Sequence, residues 1–351
     1  MEFAFTEEQR MIGETVRGFF AEHATSARTR TAMSGTGIDR QLWGAFAGEL
    51  GLAGIGLPEE YGGVGLGMVE LALVAEAAGT HVAALPLLGH VMLTQAIAKG
   101  GTEAQKSAWL PPLASGELIA TAAWQADPVV RDGRMSGTFS YLPHGAVADL
   151  MLVHGKDGAW IVDLKGAGVT ITAHVTMDQT RPLASAELVD APADALELGD
   201  IAIAAALAAG WICLAAEALG AGQAAIDQTV AYSRERVQFG RPIGSFQAYK
   251  HRLADMVVEI EQARSAVWWA ACAVDENSDE AALALHAAKS FAADTAFLCA
   301  GNMIQLHGGI GFTWDHDAHL YFKRARSIQT LLGTGAYHRE AVAGMILGAA
   351  A

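Results

Sequence analysis

Positive charge is scarce in this chain of 351 residues. Lysine and arginine number 23 against 38 aspartates and glutamates, a formal net charge of −15. Gripping a nucleic-acid backbone takes a cationic face, and no basic run here would make one, so nucleic acid is excluded as a partner. Cysteine is scarce too. Cys213, Cys272 and Cys299 lie in apolar, helix-like stretches and read as buried free thiols, the usage of a reducing cytoplasm. No cationic, apolar leader is visible, since Met1 to Arg10 carries Glu2, Glu7 and Glu8. No uninterrupted apolar run reads as a membrane span. Ile201 to Gly220 comes nearest, but it is alanine-rich and holds Glu217, the mark of a buried core helix. Fixed-period repeats are missing, as are a Gly-x-Ser-x-Gly elbow and a lysine-bearing phosphate loop.

What the chain does have is apolar mass. Hydrophobic residues make up 52% and charged ones 17%. Such a chain can bury a large core, and it is expected to cover more surface by oligomerising. Residues 1–118 read as helical. Phe5-Thr6-Glu7-Glu8-Gln9 is a helix start with Thr6 as N-cap and Gln9 three residues on. Helical spacing continues through Met11, Thr15, Phe19 and Phe20, and resumes over 68–79 and 89–98. Pro58 to Gly63 reads as a structural turn and Pro111-Pro112 as a break. From 119 to 198 the texture becomes β, with runs at 150–154, 159–164 and 169–175 punctuated by glycine. From 199 to 351 it is helical again, over 201–233, 245–274, 280–306 and 335–348, lengths that pack as a bundle. The expected class is α+β: helical domain, small and shortened β-domain, helical bundle.

Three segments carry chemistry: Arg234 to Gln247, with Arg236-Val237-Gln238-Phe239-Gly240-Arg241-Pro242 at its centre; Gln305-Leu306-His307-Gly308-Gly309-Ile310-Gly311-Phe312-Thr313; and Leu57 to Gly63. Arg236 offers a planar cation suited to a pyrophosphate, and Phe239 an aromatic face for a ribose or adenine. Gln238, Gln247 and Gln305 both donate and accept hydrogen bonds, and Gly308-Gly309 lets a backbone approach a ligand closely. Taken singly, an arginine at a helix end is a C-cap and two glycines are a turn; the ordered set reads as a cofactor site.

These motifs, in this order along almost the whole chain, resemble those of the acyl-CoA dehydrogenase family. The resemblance implies the acyl-CoA dehydrogenase fold with a C-terminal four-helix bundle. It implies FAD as cofactor, with Arg236, Gln238, Phe239, Phe246, Gln247, Gln305, Leu306, Gly308 and Gly309 holding the adenosine end of an FAD whose ring sits in a neighbouring subunit. With Asp315 to Tyr321 added, the chain is similar to actinobacterial members that degrade steroid or other bulky acyl-CoA thioesters.

The departures matter as much. The family's reaction needs a carboxylate to take the proton alpha to the thioester carbonyl. The resemblance puts that glutamate just before the pair Gly333-Thr334, where Leu332 stands, or on the preceding long helix at Gly210. Neither residue can accept a proton. Trp211 falls where many members carry an arginine, and Glu217 is expected to lie too far along its helix. The flavin-ring loop corresponds to Thr121 through Asp127, and the segment against the ring to Tyr141-Leu142-Pro143-His144, where Pro143 removes a donor.

The resemblance therefore implies the base-lacking subunit of an α2β2 heterotetramer. That subunit would complete the FAD site of a catalytic acyl-CoA dehydrogenase chain. The acyl-CoA substrate would be bound by the partner, and an electron-transfer flavoprotein would accept the electrons. A self-sufficient homotetrameric flavoenzyme with an unusual or absent base, and a flavin-free scaffold, are the alternatives. His307 reads as packed rather than as a proton shuttle, and Asp315, His316, Asp317 and His319 as a helix start and interface rather than a metal site. Trp268-Trp269 reads as core, and Glu259 and Glu261 as solvated.

Overall fold

The computed structural model describes residues 4–348, so Glu2 lies outside the described residues. The first third is helical: α1 (Glu7–His23), α2 (Ser26–Met33), α3 (Arg40–Gly48), α4 (Met68–Thr80), α5 (Leu87–Gly100) and α6 (Glu103–Ala114). The reading at Thr6 holds. The Gln9 N–H donates to its hydroxyl while the Gln9 side chain accepts from the Thr6 N–H, both at 3.1 Å, the reciprocal box that satisfies two donors at a helix start. The same box, Thr102 with Gln105, starts α6. That helix was not expected, because Pro111-Pro112 reads as a break. The prolines sit near its end, and their carbonyls accept from Ser115 and Leu118, so only donors are lost. Glu59–Tyr61 is a 3₁₀ turn closed by Gly62 at φ +82°, and the Tyr61 hydroxyl donates to Glu103. Pro58 to Gly63 is thus the structural turn expected.

The middle third holds eight strands: β1 (Ala120–Ala123), β2 (Val129–Arg131), β3 (Arg134–Pro143), β4 (Leu150–Gly155), β5 (Gly158–Asp163), β6 (Val169–Ala173), β7 (Leu183–Pro192) and β8 (Asp194–Ala195). One sheet has the order β1-β4-β5-β8, with β1 parallel to β4; the other, β2-β3-β7-β6, is antiparallel throughout. Helix α5 lies directly on β1: a Cβ on Gly89 would come 2.5 Å from the Thr121 Cα.

The last part is helical: α7 (Gly199–Glu235), a two-residue hairpin of β9 (Val237–Gln238) and β10 (Arg241–Pro242), then α8 (Gln247–Asp275), α9 (Ala281–His307), α10 (Ala318–Thr330) and α11 (Gly335–Leu347). Helix α9 packs against α8, α10 and α11. By length and composition α7 could cross a membrane, but 72% of its apolar window is buried inside the protein, as a core helix requires.

The chain packs as two units. One comprises 27–71 and 84–210, the other 1–26, 72–83 and 211–351. In the second, α4 crosses α7 at a pair of glycines: a Cβ on Gly79 would lie 2.1 Å from the Glu217 carbonyl oxygen, and one on Gly220 would lie 1.9 Å from that of Glu76. Cys213 and Cys299 are buried, but Cys272 is only partly so, and Trp268 and Trp269 are half-buried rather than core. Trp268 meets the ring of Phe5 edge-on at 4.8 Å.

Candidate functional site

The expected cofactor residues gather where α7 ends, α8 begins and α9 ends. Helix α7 stops at Glu235, and the chain reverses through Phe239 (φ +53°) and Gly240 (φ +76°), the two left-handed positions of a two-residue hairpin. The turn thrusts Phe239 outward, 92% exposed and edge-on to Phe246 at 6.1 Å. Arg236 and Gln238 are exposed on the first arm, and the Gln238 amide reaches only the neighbouring Val237 carbonyl. Arg241 lies 4.0 Å over the Phe246 ring. Gln247 opens α8.

Two tyrosines bring the Gln305 to Gly309 motif to this hairpin. Tyr232, one turn before Arg236, stacks on His307 at 4.4 Å, and Tyr249, two residues past Gln247, donates to the Leu306 carbonyl at 3.1 Å. Gln305, Gly308 and Gly309 are exposed, and a Cβ at either glycine would meet nothing within 4 Å. Only the φ of +65° at Gly308 calls for glycine locally. His307 is packed, as expected: 3% exposed, with Nδ1 on the Met303 carbonyl at 2.8 Å. Its Nε2 is buried with no hydrogen-bond partner. His316 accepts from the Ala318 N–H, so the expected helix start is α10. No metal-ligand cluster forms among the described residues.

At Leu332, the position that the resemblance gives to the base, the structure holds a hydrogen-bonded network. Leu332 has φ +53°, a strained backbone for a leucine, and its side chain is buried. Its carbonyl accepts from Trp211 Nε1 at 2.9 Å and contacts His338 Nε2 at 3.1 Å. The next carbonyl, Gly333, accepts from Lys289 Nζ at 2.5 Å, and Lys289 also reaches Ile328 at 3.0 Å. His338 Nδ1 meets His286 Nδ1 at 2.8 Å. A carbonyl only accepts, so the His338 proton sits on Nε2, its Nδ1 accepts, and His286 donates from Nδ1. Burial, then the facing Lys289 and His286, hold His338 neutral, its pKa pushed down to about 3; burial takes Lys289 down to about 8. The gap beside Trp211, bounded by Ile212, Val267 and Leu285, is too small for a water.

Gly210 is buried in α7 with no side chain to offer. Glu217 is occupied: its carboxylate pairs with Arg324, and both are buried. In the middle strands Thr121 is a buried residue of β1 whose hydroxyl donates to the Pro143 carbonyl at 2.8 Å. The two segments that would face a flavin ring are therefore tied to each other. Beside Trp124 there is a cavity of ≈ 10 Å³, the size of one water. A cavity of ≈ 600 Å³ is lined by Ala27, Arg28 and other residues up to Gln41, and by none of the motif residues.

Sequence reasoning singled out the segment Arg234 to Gln247, Leu332 and Trp211, but neither the hairpin within that segment nor His286, Lys289 and His338. Their one signal was a lysine and two histidines at apolar-face positions of helices.

Comparison with known proteins agrees with the helical, β and helical order of the fold. The model for the acyl-CoA dehydrogenase N-terminal domain matches residues 6–117, and that for the C-terminal domain residues 199–347. The chain is 37% identical to the acyl-CoA dehydrogenase IpdE2 of Mycolicibacterium smegmatis, covering 93% of this chain and 95% of that one. Among solved structures, the ChsE4-ChsE5 complex from Mycobacterium tuberculosis superposes with a TM-score of 0.92 at 28% identity, covering 100% of both chains. The Tcur3481-Tcur3483 steroid ACAD, in a variant form, superposes at 0.90 with 32% identity, covering 97% of this chain and 98% of that one.

Proposed function

This chain belongs to the acyl-CoA dehydrogenase family, and within it we propose that it is the non-catalytic subunit of an FAD-dependent acyl-CoA dehydrogenase, completing the FAD site of a catalytic chain in an α2β2 heterotetramer. The observation that carries the reading is the turn at Leu332. A hydrocarbon side chain stands where a proton acceptor is needed, and the surrounding donors are spent on main-chain carbonyls. The nearest carboxylate on α7, Glu217, is neutralised by Arg324.

The residues present fit the far half of an FAD. Arg236 is exposed with no carboxylate on it, Phe239 presents an open ring, and His307 Nε2 waits without a partner next to Gly308. The ring half is not matched, because the Thr121 hydroxyl is committed to Pro143. FAD, when bound, supplies the hydride acceptor for oxidation of an acyl-CoA to its 2-enoyl thioester. This chain's part is to hold the diphosphate and adenosine. The heteromeric relative, ChsE4-ChsE5, and the steroid ACAD favour a partner chain and a bulky, steroid-type thioester held by it. An electron-transfer flavoprotein and a cytoplasmic setting complete the proposal.

The test is a flavin count on the co-purified complex: one FAD per two chains is expected. Arg236→Ala in this chain should cut bound flavin about tenfold or more, the loss of a charge-assisted contact. One FAD per chain, or turnover of an acyl-CoA by this chain alone, overturns the reading.

A further inference from the structure

The cavity of ≈ 600 Å³ lies along α2, α3 and the loop between them, all within the unit made of 27–71 and 84–210. The loop cannot simply fold into it. Gly35 and Gly37 both donate their N–H to the Ala32 carbonyl, at 3.0 and 2.9 Å, and the Asp39 N–H donates to the Ala84 carbonyl at 2.9 Å. Gly37 takes φ +78° and packs so tightly that a Cβ would come 2.3 Å from the Pro182 Cδ. The wall is ordered before anything binds, which spares a ligand that cost. The volume is that of a small-molecule site, where apolar walls are joined to a few placed polar groups. Both parts are present. Ala32 and Ile38 supply apolar wall, and the ionised lining groups are Arg28, Asp39 and Arg40.

Charge narrows the ligand. The Asp39 carboxylate is fully engaged: it accepts from Arg28 Nε and Nη2 at 2.7 and 2.8 Å, and from the N–H groups of Gln41 and Leu42 at 3.1 and 2.9 Å. That clamp also fixes the Arg28 guanidinium. Arg40 is exposed and forms no ion pair among the described residues. Two arginines against one aspartate leave the lining at +1, in a chain of net −15. A guanidinium without a counter-charge suits the two-pronged geometry of a carboxylate, and one excess positive charge matches a monoanion. We propose that the α2–α3 cavity binds an organic carboxylate with a bulky apolar body, the carboxylate on Arg40 and the body against Ala32 and Ile38. The site is separate from the FAD motifs, none of which lines it, and it stands or falls apart from the heteromeric reading.

The test titrates the full chain with pyrenebutyrate, a fluorescent monocarboxylate, and follows its anisotropy. One saturable site per chain is expected, with a Kd that rises with salt. Pyrenebutanol, which has the same rings and no charge, should bind at least about tenfold more weakly, the worth of one charge-assisted contact. Arg40→Glu should weaken pyrenebutyrate by at least the same factor. Ala27→Trp, which sets an indole at an exposed position of the lining and leaves every charge in place, should block it. Neither variant should shift the thermal midpoint of the chain or the flavin held by the co-purified complex. Equal affinity for the alcohol and the acid means apolar adsorption and overturns the proposal. So does the absence of a saturable site below about 1 mM, or a Kd that either variant leaves unchanged.

Discussion

His338 sits at the centre of a buried arrangement with one consistent proton assignment. Its folded pKa lies far below the ordinary 6.5, so the neutral ring is favoured. As pH falls through 6.5 the unfolded chain takes up this proton and the folded chain does not, until about 3; stability is lost across that window. Lys289 acts in the same sense at alkaline pH: held down to about 8, it makes stability rise from there toward 10.5. The thermal midpoint of the wild type should therefore drop between pH 7 and 5, and His338→Gln should show a shallower drop whatever its absolute stability. An equal slope in the two proteins would show that His338 is protonated in the fold. Lys289→Met strips two main-chain carbonyls of their donor and should cost about 2–4 kcal/mol in urea titration.

Among the elements, the α4–α7 crossing is the most exacting. Its two glycines each leave room only for a neighbour's carbonyl, so Gly220→Ala must push two helices apart and should cost about 2–3 kcal/mol or more by denaturant midpoint. Thr6→Ala, which removes one cap from α1, should cost only about 1 kcal/mol by the same titration. These two positions also mark what could be read in advance. Thr6 and Gln9 announce their helix because a cap is local in sequence. Gly79 and Gly220 announce nothing, since closeness across 141 positions is a tertiary fact. Likewise β4, β5 and β6 were legible as β-branched runs. Strand β1 was not, being Ala-Thr-Ala-Ala, and β3 was hidden by register shifts after Met135 and Phe139 that break its two-residue period. At the site, the segment 234–247 stood out by its residue types, but the hairpin in it did not. The latch on the Leu332–Gly333 turn was not legible either, because its donors come from α7, α9 and α11.

For the whole molecule, charge and flavin should report separately. Glu217→Gln, which leaves Arg324 buried without its counter-charge, should destabilise the chain by about 3–5 kcal/mol by urea titration, with no bearing on flavin per folded complex. Arg236→Ala should do the opposite, sparing stability and losing flavin. The tie between the Thr121 hydroxyl and the Pro143 carbonyl has a consequence for ancestry. Under the proposed non-catalytic role, a glutamate placed at 332 alone would still leave Thr121 tied to Pro143, and freeing Thr121 alone would still leave no base. On that proposal, gaining self-sufficiency would take at least two mutations in different elements, each without benefit alone, so improbability itself would hold such a lineage to its partner.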